Sequence, residues 1–191
     1  ITGTSVSPSL FVIPRENVSF SGSFSDAAAM DSHVATWDFG DGSNATENIV
    51  AGGSTDLNAS HSYAAAGTYT VRLKVADDDG TAGVATTTLT VMTPQQALGL
   101  LASYVENLPG LNAGEKNSLL VKLNAASDAL TRGDATAAGN ELNAFLNELN
   151  ADLSSGKVSR DSASVLSASV HVVQSALGTR NRFTDLWPLG L

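Results

Sequence analysis

The 191-residue sequence contains no cysteine. That absence excludes disulfide staples, thiolate metal sites and cysteine nucleophiles. Basic residues are scarce as well: 10 Lys and Arg stand against 19 Asp and Glu, for a formal net charge of −9. Neutralising phosphates takes cationic side chains, so nucleic acid and anionic membrane surfaces are excluded as partners. No uninterrupted apolar run approaches the roughly 20 residues a membrane helix needs, so no membrane insertion is expected. Ile1 to Pro14 shows no basic stretch followed by an apolar one, the pattern of a secretory leader. Aromatics make up only 6% of the chain, which leaves few rings for a sugar-stacking platform once a core has been filled. Catalytic signatures are missing too. There is no Gly-x-Ser-x-Gly elbow and no His-Glu-x-x-His pair, and the histidines are His33, His61 and His171. Two small domains also leave little room for the deep cleft that paired glycosidase carboxylates require.

What is present divides in two near Met92-Thr93-Pro94. The first part is rich in Ser, Thr, Val and Gly and reads as β. Tyr69, Val71, Leu73 and Val75 alternate with Thr70, Arg72 and Lys74, so one face of that strand is buried. Val18, Phe20 and Phe24, with Gly22 between, repeat the pattern, and Thr86 to Val91 is β-branched with Leu89 and Val91 on one side. Asp41-Gly42 and Asp79-Gly80 mark tight turns, because Gly takes positive φ and Asp tolerates it. Strands at this spacing predict an antiparallel Ig-like β-sandwich over residues 1–92.

The second part, residues 93–178, is rich in Leu, Ala and Asn and reads as an up-down four-helix bundle. Thr93-Pro94-Gln95-Gln96 is a capping-box start, followed by Leu98, Leu101, Val105 and Leu108 on one face. Asn112 with Glu115 opens a second helix carrying Leu119, Leu123, Ala126 and Leu130. Asp134 caps a third, with Ala138, Leu142, Phe145, Leu149 and Leu153 inward. Ser159 caps a fourth, with Val165, Ala168, Val172 and Leu177 inward. Gly133, Gly156 and Gly178 supply the stops. The fold class is thus two-domain, all-β then all-α, with an apolar tail at 179–191. Acidity follows the same division: residues 1–93 hold three basic and ten acidic residues (−7), and residues 94–191 hold seven and nine (−2).

The run Trp37-Asp38-Phe39-Gly40-Asp41-Gly42-Ser43, then His61-Ser62-Tyr63, then Gly67-Thr68-Tyr69-Thr70-Val71 resembles the PKD domain in order, spacing and identity. Leu73-Lys74-Val75 and Asp77-Asp78-Asp79-Gly80 continue the resemblance, which spans residues 5–92. It implies that Trp37 anchors the core with Tyr69 beside it, that Tyr63 fastens a corner between sheets, and that Asp38 and Asp41 accept backbone bonds in the turn. In the second part, Leu119, Leu123, Ala126, Leu130 and Gly133 carry one block of spacing. Ala138, Leu142, Phe145, Gly156-Lys157-Val158-Ser159 and Ala163 carry the rest. Over residues 95–178 this resembles the helical FIMAH module found beside adhesive or enzymatic domains in secreted bacterial proteins.

Three sets of residues are candidates for chemistry. Asp26, Asp31, Asp77, Asp78 and Asp79 lie in two loops of the sandwich and offer the oxygen donors a calcium ion wants. Some PKD-type domains hold calcium with acids from similar loops, although Ala27-Ala28-Ala29-Met30 replaces the acidic segment they use. The cofactor expectation is therefore none, or calcium, with Arg72 as the alternative partner for the acids. Asn17, Asn44 and Asn58 open N-glycosylation sequons. Phe183, Leu186, Trp187 and Leu189 in the tail either fold back or dock on a neighbouring subunit.

These features predict a non-catalytic, extracellular module pair of a secreted or cell-surface protein. Its partners would be a protein or a second copy of itself, with glycans as a further option. The main competing expectation is a subunit of a surface layer or filament, assembled through the tail and a strand at Leu10-Phe11-Val12-Ile13. A carbohydrate-binding module of a secreted hydrolase is the other.

Overall fold

A computed structural model describes residues 4–5, 10–25, 31–53 and 55–178. The chain forms two compact units. The first holds seven strands in order: β1 (Thr4–Ser5), β2 (Asn17–Ser23), β3 (His33–Asp38), β4 (Asn44–Ile49), β5 (Asp56–Ser62), β6 (Gly67–Asp77) and β7 (Ala82–Val91). They make an antiparallel three-stranded sheet, β1-β2-β5, and an antiparallel four-stranded sheet, β4-β3-β6-β7.

Alternation creates the sandwich core. β2 buries Val18, Phe20 and Gly22; β3 buries His33, Ala35 and Trp37; β6 buries Val71, Leu73 and Val75. The two inner faces approach closely at Gly22, where an added Cβ would stand 2.6 Å from Leu73 Cδ2 and 3.4 Å from the Trp37 ring. Glycine there makes room for the indole. Phe20, not Tyr69, is the ring beside Trp37, with centroids 6.1 Å apart. Leu73 is the β6 residue opposite Trp37, so Tyr69 lies further along that strand, where it stacks on Tyr63 at 4.2 Å.

The second unit contains α1 (Pro94–Glu106), α2 (Ala113–Thr131), α3 (Ala135–Ser154) and α4 (Arg160–Leu177). Every expected N-cap forms. Thr93 and Gln96 complete one capping box, with Gln96 N–H on Thr93 Oγ1 at 3.2 Å and Thr93 N–H on Gln96 Oε1 at 2.9 Å. Asn112 and Glu115 complete a second. Asp134 Oδ1 and Ser159 Oγ each accept one first-turn amide. Consecutive helices pack as neighbours, and α4 returns to α1. One apolar cluster runs through all four, including Leu101, Leu123, Phe145 and Leu166.

Two expectations change. On α4 the buried face is Ala163, Leu166, Ser169, Val170, Val173 and Gln174. That rotates the helix from the expected Val165, Ala168 and Val172, which are only half-buried. Polar Ser169 and Gln174 broke the apolar periodicity that the reading relied on. Gln174 Nε2 is accommodated by Asn143 Oδ1 at 3.0 Å. Secondly, Leu10-Phe11-Val12-Ile13 is no sheet strand and does not belong to the sandwich. Phe11 and Ile13 are 5% and 3% exposed within the helical unit's own cluster. The helical unit is therefore discontinuous in sequence, joining residues 10–13 to the chain from Met92 onward. The tail at 179–191, with Phe183, Leu186, Trp187 and Leu189, lies outside the described residues.

Candidate metal centre

The β6–β7 hairpin builds the acidic site. Asp77 closes β6, its N–H bonded to Thr81 O at 2.8 Å, and Gly80 returns its N–H to Asp77 O at 3.1 Å. Gly80 has φ +87, the left-handed geometry that suits a residue with no Cβ. This tight reversal exposes Asp78 and Asp79 at its tip. β3 pairs with β6 so that His33 stands opposite Asp77. The chain entering β3 therefore brings Asp31 and Ser32 beside the hairpin.

Four of the five expected acids meet there. Asp31, Asp77, Asp78 and Asp79 each place a carboxylate oxygen within 4.8 Å of the others. Asp31 and Asp77 are half-buried, and Asp78 and Asp79 are exposed. Asp26, the fifth, lies outside the described residues. Ser32, which belongs to no motif, donates its hydroxyl to Asp78 Oδ2 at 3.2 Å. Arg72 is no partner for the cluster: it stands opposite Asp38, roughly 16 Å back along β6 from Asp77.

Like charges this close resist full ionisation. A bond to the Asp78 side chain, then burial, pushes the Asp77 carboxyl above its usual range. The same bond, then Ser32, holds Asp78 below it. Asp77 Oδ1 is buried and accepts no hydrogen bond. An all-oxygen donor set with one orphaned carboxylate oxygen fits a hard divalent cation of the calcium type, which takes six to eight oxygens. Asp31, Asp77, Asp78 and Asp79 would hold it, and its charge would replace the proton as the relief of their repulsion.

A second polar cluster joins the two sheets. Gly40 N–H bonds Asp38 Oδ1 at 2.9 Å, and Ser43 N–H bonds Asp41 Oδ1 at 3.0 Å, so both turn aspartates act as expected. His61 donates from Nε2 to Asp41 Oδ2 at 2.7 Å, while Ser43 Oγ lies 3.2 Å from the same nitrogen. A catalytic triad needs the acid on one imidazole nitrogen and the serine on the other. Here both share one nitrogen, so the arrangement latches a turn and relays no proton. Burial tends to raise Asp41, but bonds from the Ser43 hydroxyl, His61 and the Ser43 amide outweigh it and hold the carboxyl at about 2. His61 stacks on Phe39 at 4.3 Å and meets Tyr63 edge-on at 4.8 Å. Tyr63 donates its hydroxyl to Phe39 O at 3.1 Å, the corner fastening expected of it. Burial lifts its pKa to about 12.

The remaining candidates are surface features. Asn17, Asn44 and Asn58 are all exposed, as are Ser19, Thr46 and Ser60, their sequon hydroxyls. Among the described residues no aromatic ring is exposed. A shallow groove of about 270 Å³ on β2 and β5 is lined by Ser21, Gly22, Ser23, Asp56, Leu57 and Asn58, with no ring to stack a sugar. Among the described residues no helix is long and apolar enough to cross a membrane.

Two protein families match the chain. Residues 6–91 match the PKD domain, and residues 99–174 match the FIMAH domain.

Proposed function

We propose that this chain, a PKD domain followed by a FIMAH domain, is a non-catalytic interaction and spacer pair of a secreted or cell-surface protein. Its task on this reading is protein–protein or surface adhesion. The observation that carries it is the pairing itself, since both are families of non-catalytic, adhesion-type domains. Two features of the site support it. The Ser43–His61–Asp41 set is wired as a latch, and the sheet surface offers a polar groove without rings in place of a sugar platform. The test is binding of the purified chain to immobilised extracellular matrix and cell-surface fractions. Saturable turnover of any substrate, abolished by a point mutation, would sink the reading.

Calcium at Asp31, Asp77, Asp78 and Asp79 is the cofactor we assign to the sandwich. Its role would be to stiffen the β6–β7 hairpin, since filling the site joins that hairpin to the entry of β3. With Trp187→Phe in place so that Trp37 is the sole indole, millimolar Ca²⁺ should raise the Trp37-monitored melting temperature by about 5 °C, and EDTA should reverse the shift. Asp77→Asn combined with Asp78→Asn should abolish the response. A native chain whose melting ignores Ca²⁺ would remove the ion and leave the adhesive reading standing. The filament alternative loses one of its two supports, because the segment at 10–13 is buried within the helical unit.

A further inference from the structure

The helical unit does not close its core with helices alone. Residues 10–13 lie between β1 and β2 of the sandwich in sequence, yet they pack with helices that follow its last strand. Phe11 and Ile13 are nearly fully buried in the cluster, and Leu10 packs at its margin. Two hydrogen bonds fix the backbone of this strap. Leu10 N–H donates to Ser169 Oγ on α4 at 3.0 Å. Met92 N–H, just ahead of α1, donates to Val12 O at 2.8 Å. The strap is thus tied to both flanks of the α1–α4 seam.

Ser169 explains itself in this light. It is completely buried on α4, where a bundle made of helices alone would place an apolar side chain. Its hydroxyl instead accepts a backbone amide from an extended segment. Specificity for such a segment has the usual ingredients: alternate side chains in apolar space, and main-chain bonds that ignore sequence.

We infer that the α1–α4 seam is a binding site for an extended Leu-Phe-Val-Ile segment, filled here by the chain's own residues 10–13, of which Val12 is buried as well, and exchangeable for the same residues of a second copy. The strap has two connections: the one back to β1 requires that strand to leave β2 and travel with it, and the one toward β2 favours exchange. Pro14 and Arg15 turn the chain sharply, with Arg15 at φ +70, the only non-glycine residue at positive φ among the described residues. Arg15 N–H is then committed to Tyr63 O at 2.8 Å. A short, strained connection beside an exchangeable element is the common setting for domain swapping, because the swapped form straightens the connection. The inference stands whether or not the sandwich binds calcium.

The test uses the full chain and a fluorescent peptide with the sequence of residues 8–15. A chain carrying Phe11→Ala and Ile13→Ala, shown by circular dichroism to keep its helices, should bind the peptide saturably. The unaltered chain should bind it at least tenfold more weakly, because its own strap competes. A peptide with both anchors changed to Ala should not bind. Equal binding to both chains, or none to the folded double variant, overturns the inference. Should the double variant fail to fold, the unaltered chain decides it. Warmed at high concentration and returned to room temperature, it should yield a dimer by light scattering. Arg15→Gly, which relieves the turn, should cut the dimer fraction severalfold. No dimer, or a dimer fraction indifferent to Arg15→Gly, contradicts strap exchange.

Discussion

The two units solve the same problem with different materials. The sandwich adds rings and turns to its buried Val, Leu and Ile side chains. Phe39, His61, Tyr63 and Tyr69 form a continuous series of ring contacts, and Asp41 and Tyr63 tie it to the β3–β4 turn. The helical unit leans on Leu, Val and Ala in one cluster, with its helix ends closed by caps. Burial does not titrate, whereas a carboxylate held by hydrogen bonds does: in the sandwich Asp41 sits within the latch itself, while in the helical unit Glu115 and Glu148 pair with Lys157 and Lys122 outside the apolar cluster. The comparison therefore predicts two units that fail under different stresses.

The largest effect should come from the aliphatic side. Phe145 is fully buried in the helical cluster, and Phe145→Ala should cost about 3–5 kcal/mol. In a Trp187→Phe background, helical circular dichroism should then melt earlier while the Trp37 fluorescence transition stays in place. If both transitions fall together, the two units unfold as one. A smaller loss should follow Tyr63→Phe. It deletes one hydroxyl and leaves Phe39 O without that donor, for about 1–2 kcal/mol. Here the Trp37 transition alone should move.

The smallest effect is on acid stability. Asp41 is held at about 2 in the folded sandwich, below its ordinary value of 3.8. A carboxylate with a depressed folded pKa contributes stability above its unfolded pKa and loses it as pH falls through the folded one. The sandwich should therefore weaken between about pH 4 and pH 2, by on the order of 1 kcal/mol after solvent screening. Asp41→Asn should flatten that stretch of the Trp37-monitored profile. An unchanged slope would show that other carboxylates carry it.

The same contrast explains what could be read from the sequence. Caps are local chemistry, and Thr93, Asn112, Asp134 and Ser159 were each legible because the donor they meet lies within three residues. The hairpin at Asp79-Gly80 was legible for the same reason, and it brought three of the four acids with it. β4 and β5 were not legible. Each is a sheet edge that buries a single large side chain, Ile49 and Leu57, so neither carries a repeating pattern. Asp31 could be suspected, but nothing pointed to Ser32, because only the β3–β6 register sets it beside Asp78. The face of α4 is hidden in the sequence by Ser169, whose burial makes sense only with the strap in view.

That strap also fixes an order of events during synthesis. Leu10 and its partner Ser169 are 159 residues apart. At roughly 5–20 residues per second, Leu10 waits on the order of 10–30 s for α4 to be made. The sandwich strands, all complete by Val91, can pair during that interval. Leu10, Phe11 and Ile13 cannot be buried until the last helix arrives. For that time the nascent chain trails a short greasy handle, the part of the molecule most in need of a chaperone's attention.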